Sequence, residues 1–269
     1  MPSSPNTLLP AERQKIILEL LEREGSVRNA ELKELLKVTV ATVRADLREL
    51  ESAGACVLTW GGAVAKRAAG GAVSSASDGD VRFWERSKLN MDAKRAIGAR
   101  AAQLVEDGQT IIIDSGSTTM ELVRNLPPNW EYLRIVTPAL DVASIAAQFR
   151  YIELVMTGGV LRNRTRSLIG AQVLRSLEAF NADWVFLAAG GFSITHGATI
   201  SNSLEGEVKR AMLQRGAKLA LMVDSSKFGV VLALSIVPLS AIDYVITDKY
   251  LADADAAAIE AVGPRVLRA

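Results

Sequence analysis

The apolar positions of this chain follow one rhythm up to residue 50 and another from about residue 80. In the first stretch they recur every three or four residues, the spacing of amphipathic helices. Within residues 11–24, Ile16, Ile17, Leu20 and Leu21 fall on one side of a predicted helix, with Gly25 as its stop. A second helix follows, with Asn29 as its cap, Glu31 in its first turn, and Leu32, Leu35 and Leu36 turned inward. A short turn through Lys37 and Val38 reaches Thr39, whose hydroxyl can cap a third helix. In that helix, residues 39–50, Val43, Leu47 and Leu50 point inward. Ala41, Arg44, Ala45 and Arg48 recur on a different face. Small residues between two arginines make a slim cationic ridge, which suits an element entering a DNA major groove. Gly54 ends the helix, and residues 56–64 read as a small hairpin or wing turning at Gly61-Gly62.

Three short helices, the last two joined by a tight turn, make a helix-turn-helix module. A plain helical bundle fits the same periodicity, and residues 1–66 hold as many acidic as basic side chains, so net charge does not separate the two readings. Residues 65–79 are rich in Ala, Gly and Ser without apolar periodicity and read as a flexible linker. From residue 80 short apolar runs at 110–113, 133–137, 152–156, 184–188, 219–223 and 244–247 alternate with helical patterns at 92–106, 118–125, 139–148, 170–179 and 204–215. Buried strands alternating with helices predict an α/β domain with a largely parallel sheet. The expected division is therefore 1–64, a DNA-binding domain; 65–79, a linker; and 80–269, an α/β sensor domain.

Ligands of such sheets bind at the carboxyl ends of the strands, and there the small polar residues gather. Ile113-Asp114-Ser115-Gly116-Ser117-Thr118-Thr119 runs from a strand through hydroxyl residues into a helix. Gly116 permits close approach of a ligand, and the amides and hydroxyls can hold a phosphate. An ordinary capped helix fits equally, and the loop lacks the lysine and glycine spacing of a nucleotide P-loop. Thr157-Gly158-Gly159 leads towards Arg162, Arg164 and Arg166, which can attract an anion or be a solvated basic loop. Ala189-Gly190-Gly191-Phe192 ends another strand. Asp224-Ser225-Ser226-Lys227-Phe228-Gly229 offers a carboxylate and an ammonium, or a simple salt bridge.

Composition narrows the class. At 49% hydrophobic residues the chain can build a large core, yet its apolar runs are too short to span a bilayer. The first ten residues lack the basic start and apolar stretch of a signal peptide, so a cytoplasmic location is expected. Cys56 is the single cysteine and His196 the single histidine. No internal disulfide, metal site or cofactor is expected.

Glu12-Arg13, the Gly25–Val27 turn, Thr42-Val43-Arg44 with Asp46-Leu47, Leu50-Glu51, Gly54 and Gly61-Gly62-Ala63 together resemble the N-terminal domain of the DeoR family of bacterial transcriptional regulators. The likeness continues through Arg86, Asn90, Lys94, residues 114–119, Gly158-Gly159, Ser167 with Gly170, Glu205, Val208-Lys209-Arg210-Ala211-Met212, and Asp224 with Ser226-Lys227-Phe228-Gly229. It covers roughly residues 11–64 and 82–247. The resemblance implies a winged helix-turn-helix and a sensor domain similar in fold to ribose-5-phosphate isomerase and coenzyme A transferases. It also implies a phosphorylated sugar or related metabolite as effector. Four positions depart from the family's pattern. Ala45 and Leu58 stand where arginines are usual, which removes potential DNA contacts. Gly206 follows Glu205 where alanine is usual, and Pro138 replaces an asparagine at a strand end.

The function expected from this combination is a sequence-specific regulator, a repressor, of double-stranded operator DNA. Thr39, Ala41, Thr42, Arg44, Ala45, Arg48, Lys66 and Arg67 are its candidate DNA contacts. Asp114, Gly116, Ser117, Thr118, Thr119, Gly158, Gly159, Glu205 and Lys227 are the candidate effector contacts, and a homo-oligomer, dimer or tetramer, would read two half-sites. Two alternatives come from other classes. One is an isomerase- or transferase-like enzyme using Asp114, Glu205 and Lys227; the other is a module whose N-terminal bundle binds protein.

Overall fold

A computed structural model describes residues 9–24, 26–53, 55–59, 62–65 and 89–269. The chain divides into two compact units, Met1–Val73 and Ser74–Ala269.

The first unit runs α1 (Pro10–Glu24), β1 (Ser26–Arg28), α2 (Asn29–Leu36), α3 (Val40–Ser52), β2 (Cys56–Thr59) and β3 (Gly62–Ala65). The three strands form an antiparallel sheet in the order β1-β3-β2, with Val27 and Leu58 both opposite Ala63. Ile17, Leu21, Leu32, Leu36, Val43, Leu47 and Leu50 make one core, each burial contributing roughly 1.5–3 kcal/mol before the cost of ordering the chain. Thr39 caps α3 as its sequence position predicts, its Oγ1 accepting from the Thr42 amide at 3.2 Å.

Three local expectations change. Val27 belongs to a strand rather than a turn, because β3 returns beside it and pairs with it. Leu35 is 57% exposed, since the core-facing stripe of a helix this short is filled by Leu32 and Leu36. Asn29 is the first helical residue, and its Oδ1 is buried without a hydrogen bond, so it is not a side-chain cap. The predicted linker overlaps β3 at Ala65. Gly25, Gly54, Gly61 and positions 66–79 lie outside the described residues.

The second unit is built on a seven-stranded, wholly parallel sheet in the order β15-β14-β12-β9-β4-β5-β6. Its strands are β4 (Thr110–Ile113), β5 (Leu133–Thr137), β6 (Ile152–Met156), β9 (Ala182–Leu187), β12 (Gly216–Met222), β14 (Tyr244–Thr247) and β15 (Arg265–Arg268). The helices are α4 (Met91–Ala102), α5 (Thr119–Arg124), α6 (Leu140–Ala146), α7 (Ala171–Glu178), α8 (Ser203–Leu213) and α9 (Asp253–Glu260). Ile112, Val136, Val185 and Leu221 face a core shared with Val173, Leu177, Val208, Met212 and Ile259. Their neighbours Ile111, Ile113, Ile135, Phe186 and Met222 face a second core, with Ile97, Leu122 and Val142. Both sheet faces are thus covered, which is why the central strands read as apolar runs rather than alternating ones, with Arg134 interrupting β5 and Glu153 the edge strand β6.

Additional small strands are β7 (Val160–Arg162) with β8 (Ser167–Ile169), a hairpin, and β10 (Gly191–Ser193), β11 (Gly197–Ile200) and β13 (Leu234–Val237), a three-stranded antiparallel sheet. From β4 the chain adds β5 and β6 on one side. It then returns to place β9 on the other side of β4. The strand order therefore reverses between β4 and β9, the point at which open α/β sheets form a crevice. Among the described residues no helix is long and apolar enough to cross a membrane.

Candidate functional site

Two surfaces carry the candidate chemistry. On α3, Val43, Asp46, Leu47 and Leu50 are buried, while Thr39, Ala41, Arg44, Ala45 and Arg48 are exposed and Thr42 is half-buried. The core takes one side of the helix and leaves the arginine ridge to solvent. Neither Arg44 nor Arg48 forms an ion pair or hydrogen bond among the described residues. Asp46, between the two arginines in sequence, turns its carboxylate inward to Arg13 of α1, and the exposed Glu49 beside Arg48 accepts from Gln14 Nε2. That hydrogen bond with Asp46 raises the Arg13 pKa and fixes it as a cation. Lys66 and Arg67 lie outside the described residues.

The second surface is a cavity of about 250 Å³ at the carboxyl ends of β4, β9 and β12. Its floor is the loop after β4. Asp114, 1% exposed, accepts hydrogen bonds from the amides of Ser115 at 2.7 Å and Ala188 at 2.8 Å, and pairs with the Lys209 ammonium of α8. Lys209 also donates to the Ala188 carbonyl at 2.9 Å. One carboxylate thus ties together the loops on either side of the reversal point. Gly116 sits where a Cβ would stand 2.7 Å from the Ala188 methyl, so these loops approach as closely as they do only with glycine here. Ser117 and Thr118 continue the lining.

A second wall comes from α4 and the loop after β12. Asn90, just ahead of α4, donates through Nδ2 to Asp224 at 3.2 Å and to the Ser226 hydroxyl at 3.3 Å. This brings Lys94, one turn along α4, and Lys227 to the same wall. Asp224 accepts from Asn90 and Ser226 rather than Lys227, so the carboxylate–ammonium salt bridge considered from sequence does not form. Lys227 has no ion-pair partner among the described residues. A third wall is the start of α8. Here Glu205, 7% exposed, accepts from the hydroxyls of Thr165 and Ser167 and lies 3.7 Å from Arg162 Nε.

Of the residues singled out from sequence, Gly116, Ser117, Thr118, Glu205 and Lys227 line this cavity. Asp114 lies beneath it, its charge met by Lys209. Thr119 is completely buried, and its hydroxyl bonds the Asp114 carbonyl at 2.8 Å and the Gly116 carbonyl at 3.0 Å. It faces the backbone of the loop, not the cavity. Gly158 and Gly159 do not line the cavity. They turn the chain from edge strand β6 into β7 with φ of +67° and +112°, and a Cβ on Gly159 would meet Val173 at 2.7 Å. Arg162 and Arg166 face the carboxylates of Glu205 and Asp141. His196 bonds the hydroxyl of its neighbour Thr195 at 2.8 Å. Thr165, Ser201 and Asn202 line the cavity with no signal in the sequence, and spacing alone does not single out Asn90, Lys94 and Lys209 either. Only the places of these last three in the resemblance pointed to them.

Residues 13–69 match the DeoR-like helix-turn-helix domain, and residues 89–249 match the DeoR C terminal sensor domain. The HTH-type transcriptional regulator GlpR of Haloferax volcanii is 34% identical over 97% of this chain and 98% of its own length. The HTH-type transcriptional regulator GolR of Listeria innocua is 33% identical, covering 90% of this chain and 92% of its own. Ribose 5-phosphate isomerase of Methanocaldococcus jannaschii is similar over 52% of this chain and 55% of its own, with a TM-score of 0.37 and 19% identity. These curated relatives are regulators, which sets aside the enzymatic alternative for the cavity's carboxylates and lysines. An exposed arginine ridge on a winged helix-turn-helix, followed by an α/β sensor unit with its own polar cavity, accounts for both halves of the match: the chain belongs to the DeoR family of DNA-binding transcriptional regulators.

Proposed function

We propose that the chain is a cytoplasmic repressor whose operator affinity is set by a phosphorylated sugar or related metabolite bound in the cavity of the second unit. In this reading residues 1–64 bind operator DNA, 65–79 link, and 80–269 sense. The observation that carries it is the cavity at the strand-order reversal, floored by the Gly116–Thr118 amides and hydroxyls and walled by Lys94 and Lys227. A phosphate dianion needs donors and positive charge together, and both converge there. Glu205 accepts sugar hydroxyls. Asp114, fully engaged, holds Lys209 and the two loops in place rather than touching ligand. The Arg44–Arg48 ridge enters the major groove, and two copies in a homo-oligomer read two half-sites. Effector changes DNA binding only by its difference in affinity for the two arrangements of the DNA-binding modules.

Titration of the full chain with a panel of sugar phosphates, followed by melting temperature, tests this: a ligand binding only the folded state raises the melting point. Thr118→Ala and Lys227→Ala are expected to abolish the shift. Unchanged binding in both variants would place the ligand elsewhere.

A further inference from the structure

Three polar groups on one short stretch of the cavity wall are unspent. The Ser201 hydroxyl is buried and has no hydrogen-bond partner among the described residues. Asn202 uses its Oδ1 to accept from the Glu205 amide at 3.1 Å, which fixes the side chain and leaves Nδ2 without an acceptor among those residues. Glu205 takes its hydrogen bonds on Oε1, from Thr165 and from Ser167 at 3.4 Å, with Arg162 nearest that same oxygen; Oε2 accepts none among the described residues. All three residues line the cavity.

We propose that residues 201–205 read unmodified hydroxyl groups of the effector and make the cavity selective for monophosphates over compounds with a second anionic group at the far end. This rests on the sugar-phosphate reading above. The donor and acceptor inventory is the argument. Ser201 donates and accepts, Asn202 Nδ2 only donates, and Glu205 Oε2 only accepts. A sugar hydroxyl satisfies all of these. A second phosphate or a carboxylate, fully ionised, has no proton to give Glu205 Oε2 and leaves that acceptor unmatched, with the Glu205 charge already met by Arg162. The cations Lys94 and Lys227 stand on the wall joined by Asn90, Asp224 and Ser226, so the cavity has a phosphate side and a hydroxyl side. A cavity of about 250 Å³ has room for one small ligand. Among the described residues no hydrogen bond fastens the Ser201 hydroxyl in its recess, so rotation about χ1 can carry it to the ligand.

The test uses the full chain and titration calorimetry with fructose 6-phosphate, fructose 1,6-bisphosphate, ribulose 5-phosphate, ribulose 1,5-bisphosphate and 6-phosphogluconate, and melting shifts with inorganic phosphate. The tightest ligand is expected to be a monophosphate with free hydroxyls, at least tenfold ahead of the matching bisphosphate. Ser201→Ala should weaken it about tenfold and leave the phosphate-induced melting shift unchanged, Ser201→Thr should retain affinity, and Glu205→Gln should narrow the gap to the bisphosphate. A bisphosphate or 6-phosphogluconate as the tightest ligand overturns the proposal, as does a Ser201→Ala effect equal for sugar phosphate and inorganic phosphate; the sugar-phosphate reading survives both. If neither inorganic phosphate nor any of the compounds binds, that underlying reading fails, and the proposal with it.

Discussion

Arg13 of α1 and Asp46 of α3 meet in a two-pronged ion pair, with Arg13 Nε donating to Oδ2 at 2.7 Å and Nη2 to Oδ1 at 2.9 Å. The side chains are 9% and 4% exposed, so the pair lies inside the DNA-binding unit. It clamps α1 to α3 and spends the carboxylate that lies between Arg44 and Arg48 in sequence. Removing one partner strands a buried charge, a loss of about 3–5 kcal/mol. Asp46→Ala is therefore expected to lower the melting transition of the first unit while the second keeps its own, as followed by circular dichroism of the full chain. The double variant Arg13→Met/Asp46→Leu should recover most of the loss.

Arg44 projects from the exposed side of α3 without a partner among the described residues. Arg44→Ala is expected to abolish specific operator binding in a gel shift, since a bidentate base contact is worth about 1–3 kcal/mol and is lost in each half-site. A variant with near wild-type affinity would move the base contact elsewhere. If Arg48 contacts phosphate instead, Arg48→Ala should weaken binding to all sequences alike and flatten the salt dependence.

Thr118 and Thr119 are neighbours with different duties. Thr118 lines the cavity, whereas the Thr119 hydroxyl closes the loop onto the Asp114 and Gly116 carbonyls. Thr119→Val is expected to cost about 1–3 kcal/mol of stability for the Asp114 carbonyl left unpaired, the Gly116 carbonyl keeping the Met120 amide, read as a lower melting point without ligand. Thr119→Ser should restore it. Thr118→Ala should leave the ligand-free melting point nearly unchanged and remove the ligand-induced rise.

Asp107 accepts from the amides of Glu131 and Tyr132, and those bonds hold its carboxyl below the ordinary range. A depressed folded-state pKa means stability that is present above the unfolded value, about 3.9, and lost as pH falls through the folded one. Asp107→Asn should melt below the native chain at neutral pH, and the gap should close in acid. A gap independent of pH would assign the effect to the shape of the turn rather than to charge.

The sequence by itself determined the elements. Period marked Val43, Leu47 and Leu50 as the buried side of α3 and left Ala41, Arg44 and Arg48 outside, because a helix side chain's direction follows from its position alone. The six short, largely apolar runs announced parallel strands for a similar reason: a strand covered on both faces needs apolar residues at most positions, and the only charged residues in them are Arg134 of β5 and Glu153 of edge strand β6. The short strands β11, β13 and β15, the three-residue strands and the two-turn helix α9 escaped notice, since so few residues carry little period.

Tertiary structure decided the site. That Asp114 meets Lys209, 95 positions away, depends on β9 pairing with β4, and strand order leaves no trace in local spacing. The same pairing puts the Ser115–Thr118 loop at the reversal point and sends Gly158 and Gly159 to the sheet edge, although both loops read alike as small residues after a strand. It also separates Thr118 from Thr119, adjacent and chemically identical. One meets the cavity and the other the backbone, because burial is set by what the rest of the chain packs against each position.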